Sequence, residues 1–115
     1  DKRDGLRLQL SKRGIIERQE SYKNGLLEGE RIKFNSSGRP TLKENYKEGK
    51  LNGMKTVYYA RGQKQEESHY SNGVKDGTAK WYTDKGKVIA IYEYKNGIFE
   101  GSQQYFYTNG QLKAI

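Results

Sequence analysis

Few residues of this chain have the side chains that catalysis or metal binding needs. His69 is the only histidine, and the chain has no cysteine, which excludes thiolate nucleophiles, disulfides and soft metal sites together. A catalytic triad or a metal site needs several convergent partners, and the sequence places no such set around His69. We therefore predict that His69 is a surface residue of a strand and that the protein is not an enzyme.

Two repeated rows resemble ligand-binding motifs but predict turns. Acidic or amide residues recur every 24 positions, at Glu28, Asn52, Asp76 and Glu100. In a meander of hairpins, residues 24 apart lie two strands apart, about 9.6 Å at about 4.8 Å per strand, which is too far to share one cation. The glycine pair Gly25-x-x-x-Gly29 and its copies precede no helix that would bind a phosphate. We expect neither a metal nor a cofactor.

Aromatic side chains have the strongest potential for binding. Rings occur on both faces of successive strands at Tyr58-Tyr59, Trp81-Tyr82 and Tyr105-Phe106-Tyr107. One interpretation is packing between neighbouring strands of the sheet. The other is a partner-binding strip, because Tyr and Trp are concentrated in the hot spots of interfaces. The predicted partner-binding residues are Tyr59, Trp81, Tyr105 and Tyr107, with Lys33, Arg39 and Lys43 steering the approach of an acidic partner.

A 24-residue repeat sets the position of all these residues. Glycine recurs without a slip on three tracks: Gly5, Gly29, Gly53, Gly77 and Gly101; Gly14, Gly38, Gly62, Gly86 and Gly110; Gly25, Gly49, Gly73 and Gly97. A fourth track holds Tyr22, Tyr46, Tyr70 and Tyr94. Self-similarity of this kind indicates a repeat protein. We predict a single domain over residues 1–115, with units 5–28, 29–52, 53–76 and 77–100 and a partial unit 101–115.

Each unit has the pattern of two antiparallel strands and two turns. In the copy that begins at Gly29, residues 30–34 alternate polar and apolar side chains, residues 35–38 have turn chemistry, and a second strand follows. Asn-Gly pairs follow three of the tyrosines, and both residues of such a pair suit a turn with positive φ. We expect positive φ at glycines such as Gly49, Gly73 and Gly97. The predicted fold is all-β: an elongated repeat array of antiparallel β-hairpins, a single-layer meander of about ten strands and about 48 Å long.

Parity along the strands predicts the two faces of this sheet. Even-numbered positions of both strands are mostly apolar, so we expect them to form one stripe in which Tyr46 packs against rings such as Phe34. On the same argument Lys33 and Lys43 share the opposite, polar face.

Charge and hydropathy narrow the function classes. The net charge is +8, and residues 1–61 hold 15 Lys or Arg against 8 Asp or Glu. Such an excess attracts acidic proteins, anionic lipids or nucleic acids. The basic excess and the richest aromatic segments occupy different halves, which argues against nucleic acid. No apolar run approaches the roughly 20 residues of a membrane-spanning helix, so we expect a soluble protein.

The pattern Tyr-x-x-Gly-x-x-x-Gly-x4-Tyr/Phe-x3-Gly occurs at Tyr46-Gly49-Gly53-Tyr58-Gly62 and again from Tyr94 to Gly110. It resembles the MORN repeat in its bacterial variant, which characterises the YwqK-type antitoxin family. The resemblance covers residues 5–115 and implies an elongated, twisted sheet of consecutive hairpins. It also implies a location in the bacterial cytoplasm or in the periplasm and cell envelope, a choice that the sequence leaves open.

The leading functional hypothesis is a non-catalytic protein-binding module. The resemblance implies an antitoxin or immunity protein that neutralises a cognate toxin. The alternative is a scaffold, or a module that binds a membrane surface through anionic lipids. The carboxyl-terminal edge, with Tyr105, Phe106, Tyr107, Leu112 and Ile115, lacks the charges of residues 1–4, so we expect it to pair with a second copy or a partner.

Overall fold

The computed structural model describes residues 4–106 and 112–114, with side chains described for residues 4–98. These residues form thirteen strands: β1 (Gly5–Leu10), β2 (Ile16–Lys23), β3 (Leu26–Leu27), β4 (Gly29–Phe34), β5 (Pro40–Lys47), β6 (Lys50–Leu51), β7 (Gly53–Tyr58), β8 (Lys64–Ser71), β9 (Val74–Lys75), β10 (Gly77–Tyr82), β11 (Val88–Lys95), β12 (Ile98–Phe106) and β13 (Leu112–Ala114).

The strands form one open antiparallel sheet, which confirms the predicted meander. Ten strands follow each other in the order β1-β2-β4-β5-β7-β8-β10-β11-β12-β13. The two-residue strands β3, β6 and β9 extend the pairing of β2, β5 and β8. The sheet measures 51 × 33 × 13 Å, so it is a single layer with side chains on both sides. Among the described residues, no helix is long and apolar enough to cross a membrane.

Glycine and asparagine supply the backbone conformations of the turns. Gly49, Gly73 and Gly97 have φ of 83°, 88° and 81°, as predicted for turns that most residues would strain. The residue before each of these glycines also has positive φ, and at Glu48 (φ 51°) that residue is neither Asn nor Gly. Four glycines of the first track, Gly5, Gly29, Gly53 and Gly77, also have positive φ, with Gly53 at 108°, although each opens a strand.

A bulge in each unit overturns the predicted faces. Phe34 pairs with Pro40, but Lys33 pairs with Leu42. Thr41 is left as one extra residue, and the same shift occurs in the hairpins β1-β2, β7-β8 and β10-β11. Because a shift of one residue moves every later side chain to the other side of the sheet, odd positions of the first strand share a face with even positions of the second.

The two faces are therefore assembled differently from the prediction. The tyrosine face carries Tyr22, Tyr46, Tyr70 and Tyr94, which pair with Gly5, Gly29, Gly53 and Gly77. The leucine face carries Leu6, Leu8 and Leu10 and, further along, Phe34 and Tyr58. The predicted packing of Tyr46 against Phe34 is wrong, because the two rings lie on opposite faces. Lys33 and Lys43 are likewise separated.

Hydrogen bonds between successive units hold the turns in line. The backbone N–H groups of Gly49, Gly73 and Gly97 donate to carbonyl groups of the preceding unit at 2.7–2.9 Å. Beside them, side chains of the acidic or amide row accept from the backbone of the next turn: Glu28 from Glu48 at 3.1 Å, Asn52 from Asn72 at 3.3 Å and Asp76 from Asn96 at 3.2 Å. The row therefore supports turns, as predicted.

Candidate interaction surface

A row of alternating charges runs across the strands on the tyrosine face. The register places Arg7, Glu20, Arg31, Glu44 and Lys55 side by side in β1, β2, β4, β5 and β7. Arg31 Nε lies 3.0 Å from Glu20, and its Nη1 lies 3.8 Å from Glu44. Lys55 Nζ lies 4.0 Å from the other oxygen of Glu44. We call this row the charge ladder; each carboxylate within it lies between two cations.

The carboxylates of the charge ladder are buried beneath the neighbouring tyrosines. Glu20 is 7% exposed and Glu44 is 6% exposed. The Tyr22 hydroxyl donates to Glu20 at 3.2 Å, and the Tyr46 hydroxyl donates to Glu44 at 3.1 Å. Buried charge is tolerated only when it is paired and hydrogen-bonded, and the tyrosines and cations together supply those partners.

The pKa values of the central residues reflect this environment. Burial alone would lower the pKa of the Arg31 guanidinium, but the hydrogen bond to Tyr46 and the nearby charges of Glu20 and Glu44 raise it overall. Burial raises the pKa of the Tyr46 hydroxyl, and Glu44 adds to the shift, although Arg31 opposes it. Near neutral pH Arg31 is therefore charged, and the Tyr46 phenol beside it is neutral.

Beyond Lys55 the same row loses its charges. Its next members are Ser68 and Ala79, which are both buried, followed by Tyr92. The neighbouring row on this face runs through Lys33, Leu42, Val57, Glu66, Trp81 and Ala90. Trp81 is half-buried there, and Ala90 is buried. The tyrosine face thus changes from an ionic end near β2 to an end at β10 and β11 with small and aromatic residues.

Three of the residues predicted to bind a partner belong to one row across the strands. Two of them have side chains on the tyrosine face, and the third is placed in the row by its backbone pairing alone. Lys33 is exposed on the tyrosine face, and Trp81 lies on the same row four strands of the main path away. Tyr105 is the backbone partner of Ala90 and lies two strands beyond Trp81 in register, although its side chain is not among those described. Tyr107 lies outside the described residues.

The other three predicted residues lie elsewhere. Lys43 is on the leucine face, with its Nζ 5.9 Å from the centre of the Tyr58 ring. Arg39 lies at a turn and donates to the Arg61 carbonyl at 2.7 Å. Tyr59 occupies the equivalent turn of the next unit and donates its hydroxyl proton to the Tyr82 carbonyl at 2.6 Å. These two side chains bind the following unit, so they hold the array together.

The leucine face carries a polar cluster that sequence reasoning missed. The Tyr82 hydroxyl donates to Glu67, and Lys64 Nζ lies 2.9 Å from the same carboxylate. Burial, strengthened by the charge and hydrogen bond of Glu67, raises the pKa of Tyr82 to about 12. The bond from Tyr82 lowers the pKa of Glu67. The sequence gives the positions of these residues along the chain, but only the strand register shows that their side chains meet.

His69 lies beside this cluster and is exposed. Its Nδ1 is 3.4 Å from the Thr78 carbonyl, so one ring nitrogen points at a backbone group of the next strand. Among the described residues, no three His, Cys, Asp or Glu side chains are grouped as metal ligands would be. The prediction that His69 is a surface residue of a strand is confirmed.

Comparison with known proteins places this arrangement in a family. The sequence model of the family described as MORN repeat variant matches residues 51–72, 75–96 and 99–115, together more than half of the chain. The matched segments repeat at the same 24-residue interval as the glycines. A search among curated proteins returns no match.

Proposed function

Because the chain belongs to the MORN repeat variant family, we propose that it is a non-catalytic module that binds a protein partner through its tyrosine face. The observation that carries this proposal is the change along that face. Fixed charges at one end give orientation and selectivity. At the other end the half-buried Trp81, which lies between Glu66 and Ala90 in register, gives an aromatic contact. A rigid sheet also loses little conformational freedom on binding, which favours affinity.

The charge of the protein indicates the kind of partner. The net charge is +8, and the excess is concentrated in the first half. Lys33 is exposed on the tyrosine face, and among the described side chains no carboxylate forms an ion pair with it as Glu20 does with Arg31. Opposite charges accelerate association and suppress wrong partners. An acidic protein surface with an apolar patch therefore fits this face best.

More narrowly, we propose that the chain is a bacterial antitoxin or immunity protein of the YwqK type, whose partner is a cognate toxin. The proposal rests on the resemblance of the repeat pattern to that group. The test is to express the product of a neighbouring gene alone and together with this chain in a bacterial host. Growth arrest that co-expression relieves supports the proposal. A neighbouring product that is harmless, or that stays toxic in the presence of this chain, contradicts it.

A second candidate is a module that binds anionic membrane surfaces. The basic excess of the first half favours it, since each Lys or Arg near an anionic bilayer contributes about 1 kcal/mol. Sedimentation with two kinds of vesicle separates the two candidates. One vesicle is phosphatidylcholine alone, and the other contains about 30 mol% phosphatidylserine, which supplies an anionic surface. Binding that requires phosphatidylserine supports the membrane function. Absence of binding to both vesicles excludes it.

A further inference from the structure

The strand β1 forms an edge of the sheet with an exposed aliphatic row. Leu6, Leu8 and Leu10 lie on the leucine face with exposures of 63%, 45% and 53%. Within the described part of the chain, β1 pairs with β2 alone, and the backbone N–H and C=O groups on its outer side have no described partner strand. Such an edge is a template for the addition of another strand.

The repeat shows which residue suits the open side of β1. Arg7, Arg31 and Lys55 are equivalent, since they lie 24 residues apart. Arg31 has a glutamate on each side, at 3.0 Å and 3.8 Å, and Lys55 has one at 4.0 Å. Arg7 is exposed and pairs in register with Glu20 on one side, while its other side faces no described strand. A carboxylate there would continue the alternation of the charge ladder.

We propose that the β1 edge binds an extended segment of a partner protein, which adds to the sheet as an antiparallel strand. The segment carries Asp or Glu opposite Arg7 and aliphatic residues opposite Leu6 and Leu8. The ligand class is therefore a strand that alternates apolar and acidic residues. This surface lies at the far end of the sheet from Trp81, so the proposal goes beyond the function proposed above and does not depend on it.

The charge of the chain disfavours a second copy as the occupant. Residues 1–61 have a formal excess of seven positive charges, 15 against 8. Pairing of two β1 edges would bring two such halves together, and their repulsion opposes association. An acidic segment of another protein is attracted by the same charges.

The test is the binding of a labelled peptide to the full chain, measured by fluorescence anisotropy at low salt. The probe is a blocked, fluorescein-labelled peptide, Val-Thr-Val-Glu-Val-Thr, whose glutamate lies opposite Arg7 when the strands are antiparallel. The matched probe has Lys in place of Glu. We expect the Glu peptide to bind the wild type about fivefold to tenfold more tightly than the Lys peptide, because a favourable ion pair is exchanged for a like-charge pair.

Charge reversal in the protein distinguishes this contact from general attraction to a basic surface. Arg7→Glu should invert the preference, so that the Lys peptide binds more tightly. Lys33→Glu makes the same change of net charge on the tyrosine face and should leave the preference for the Glu peptide intact. Circular dichroism of each variant verifies that the sheet is retained.

Three results would overturn the proposal. The first is that neither peptide binds the wild type, and the second is that both variants alter the preference equally. The third is light scattering that shows a wild-type dimer which Arg7→Glu converts to a monomer, because the occupant of the edge would then be a second copy.

Discussion

The substitution Glu48→Asn should stabilise the protein by removing local backbone strain. Glu48 has φ of 51°, and the equivalent positions hold Asn24, Asn72 and Asn96 at 54°, 50° and 52°. The left-handed conformation costs an ordinary L-residue about 1–2 kcal/mol, and asparagine tolerates it far better. The bond from the residue 48 amide to Glu28 involves the main chain, so the substitution retains it. Glu48 is exposed, and no packing is lost.

We expect a gain of about 1 kcal/mol in the free energy of unfolding, or about 4 °C in Tm for a chain of this size. Thermal and urea unfolding followed by circular dichroism measure both. Glu48→Gln is the matched control, because it removes the same charge without easing the backbone. The reciprocal change Asn72→Glu should cost about as much as Glu48→Asn gains. Equal stabilities for the Asn and Gln variants, or an unaffected Asn72→Glu, would show that the backbone at residue 48 is not strained.

Two further predictions concern the polar clusters. Tyr82→Phe should remove a loss of stability at alkaline pH. The raised pKa of Tyr82 stabilises the wild type at pH values below the ordinary pKa of 10.0, and that contribution is lost as pH rises to about 12. The same variant should weaken the loss of stability in acid that Glu67 causes. The lowered pKa of Glu67 stabilises the protein above its ordinary value of 4.5, and this contribution is lost as pH falls. Unfolding curves of Tyr82→Phe that keep both the alkaline and the acid dependence of stability would contradict this pairing. Arg31→Met should cost about 2 kcal/mol in the free energy of unfolding, because it leaves two buried carboxylates with fewer partners. Lys64→Met, at a more exposed pair, should cost less than about 1 kcal/mol, and similar losses for the two variants would show that burial does not matter here.

The repeat and its turns could be predicted because they depend on local conformation. Glycine and Asn-Gly at fixed intervals determine where the chain can reverse, and those reversals set the length and order of the strands. Ten strands on one path and positive φ at Gly49, Gly73 and Gly97 follow directly. These features need no knowledge of which side chains meet.

The faces could not be obtained from parity because a single residue decides them. The extra residue at Thr41 inverts the parity of β5 relative to β4. The two-residue loop at Asn24 and Gly25 contains a usable signal, since a loop of two residues places Lys23 opposite Leu26 and so pairs odd with even positions. That loop gives the parity of β2 against β4, but the charge ladder also needs the further shift that places Gln19 opposite Ile32, and the loop does not show that shift.

The residues predicted to bind a partner do not share one face, because parity alone does not give the faces. Trp81 and Lys33 share a row of the tyrosine face, whereas Lys43 lies behind it. Arg39 and Tyr59 are engaged with backbone carbonyls of the next unit, and hydrogen bonds between units at turns have no simple signature in composition or spacing. Their role in binding stays a prediction, as does self-association through the carboxyl-terminal edge.

The most direct test of the proposed function compares the two faces of the sheet in a binding experiment. The tagged chain is used to recover its partner from the source cells, and the affinity of the recovered protein is then measured by calorimetry. One variant combines Lys33→Glu with Trp81→Ala on the tyrosine face. The other combines Lys80→Glu with His69→Ala, two exposed residues of the leucine face. We expect one partner in a fixed ratio. Its affinity should be at least tenfold weaker, or about 1.4 kcal/mol, for the tyrosine-face variant and unchanged for the leucine-face variant. Equal affinities for the two variants, or a loss confined to the leucine-face variant, would contradict this expectation.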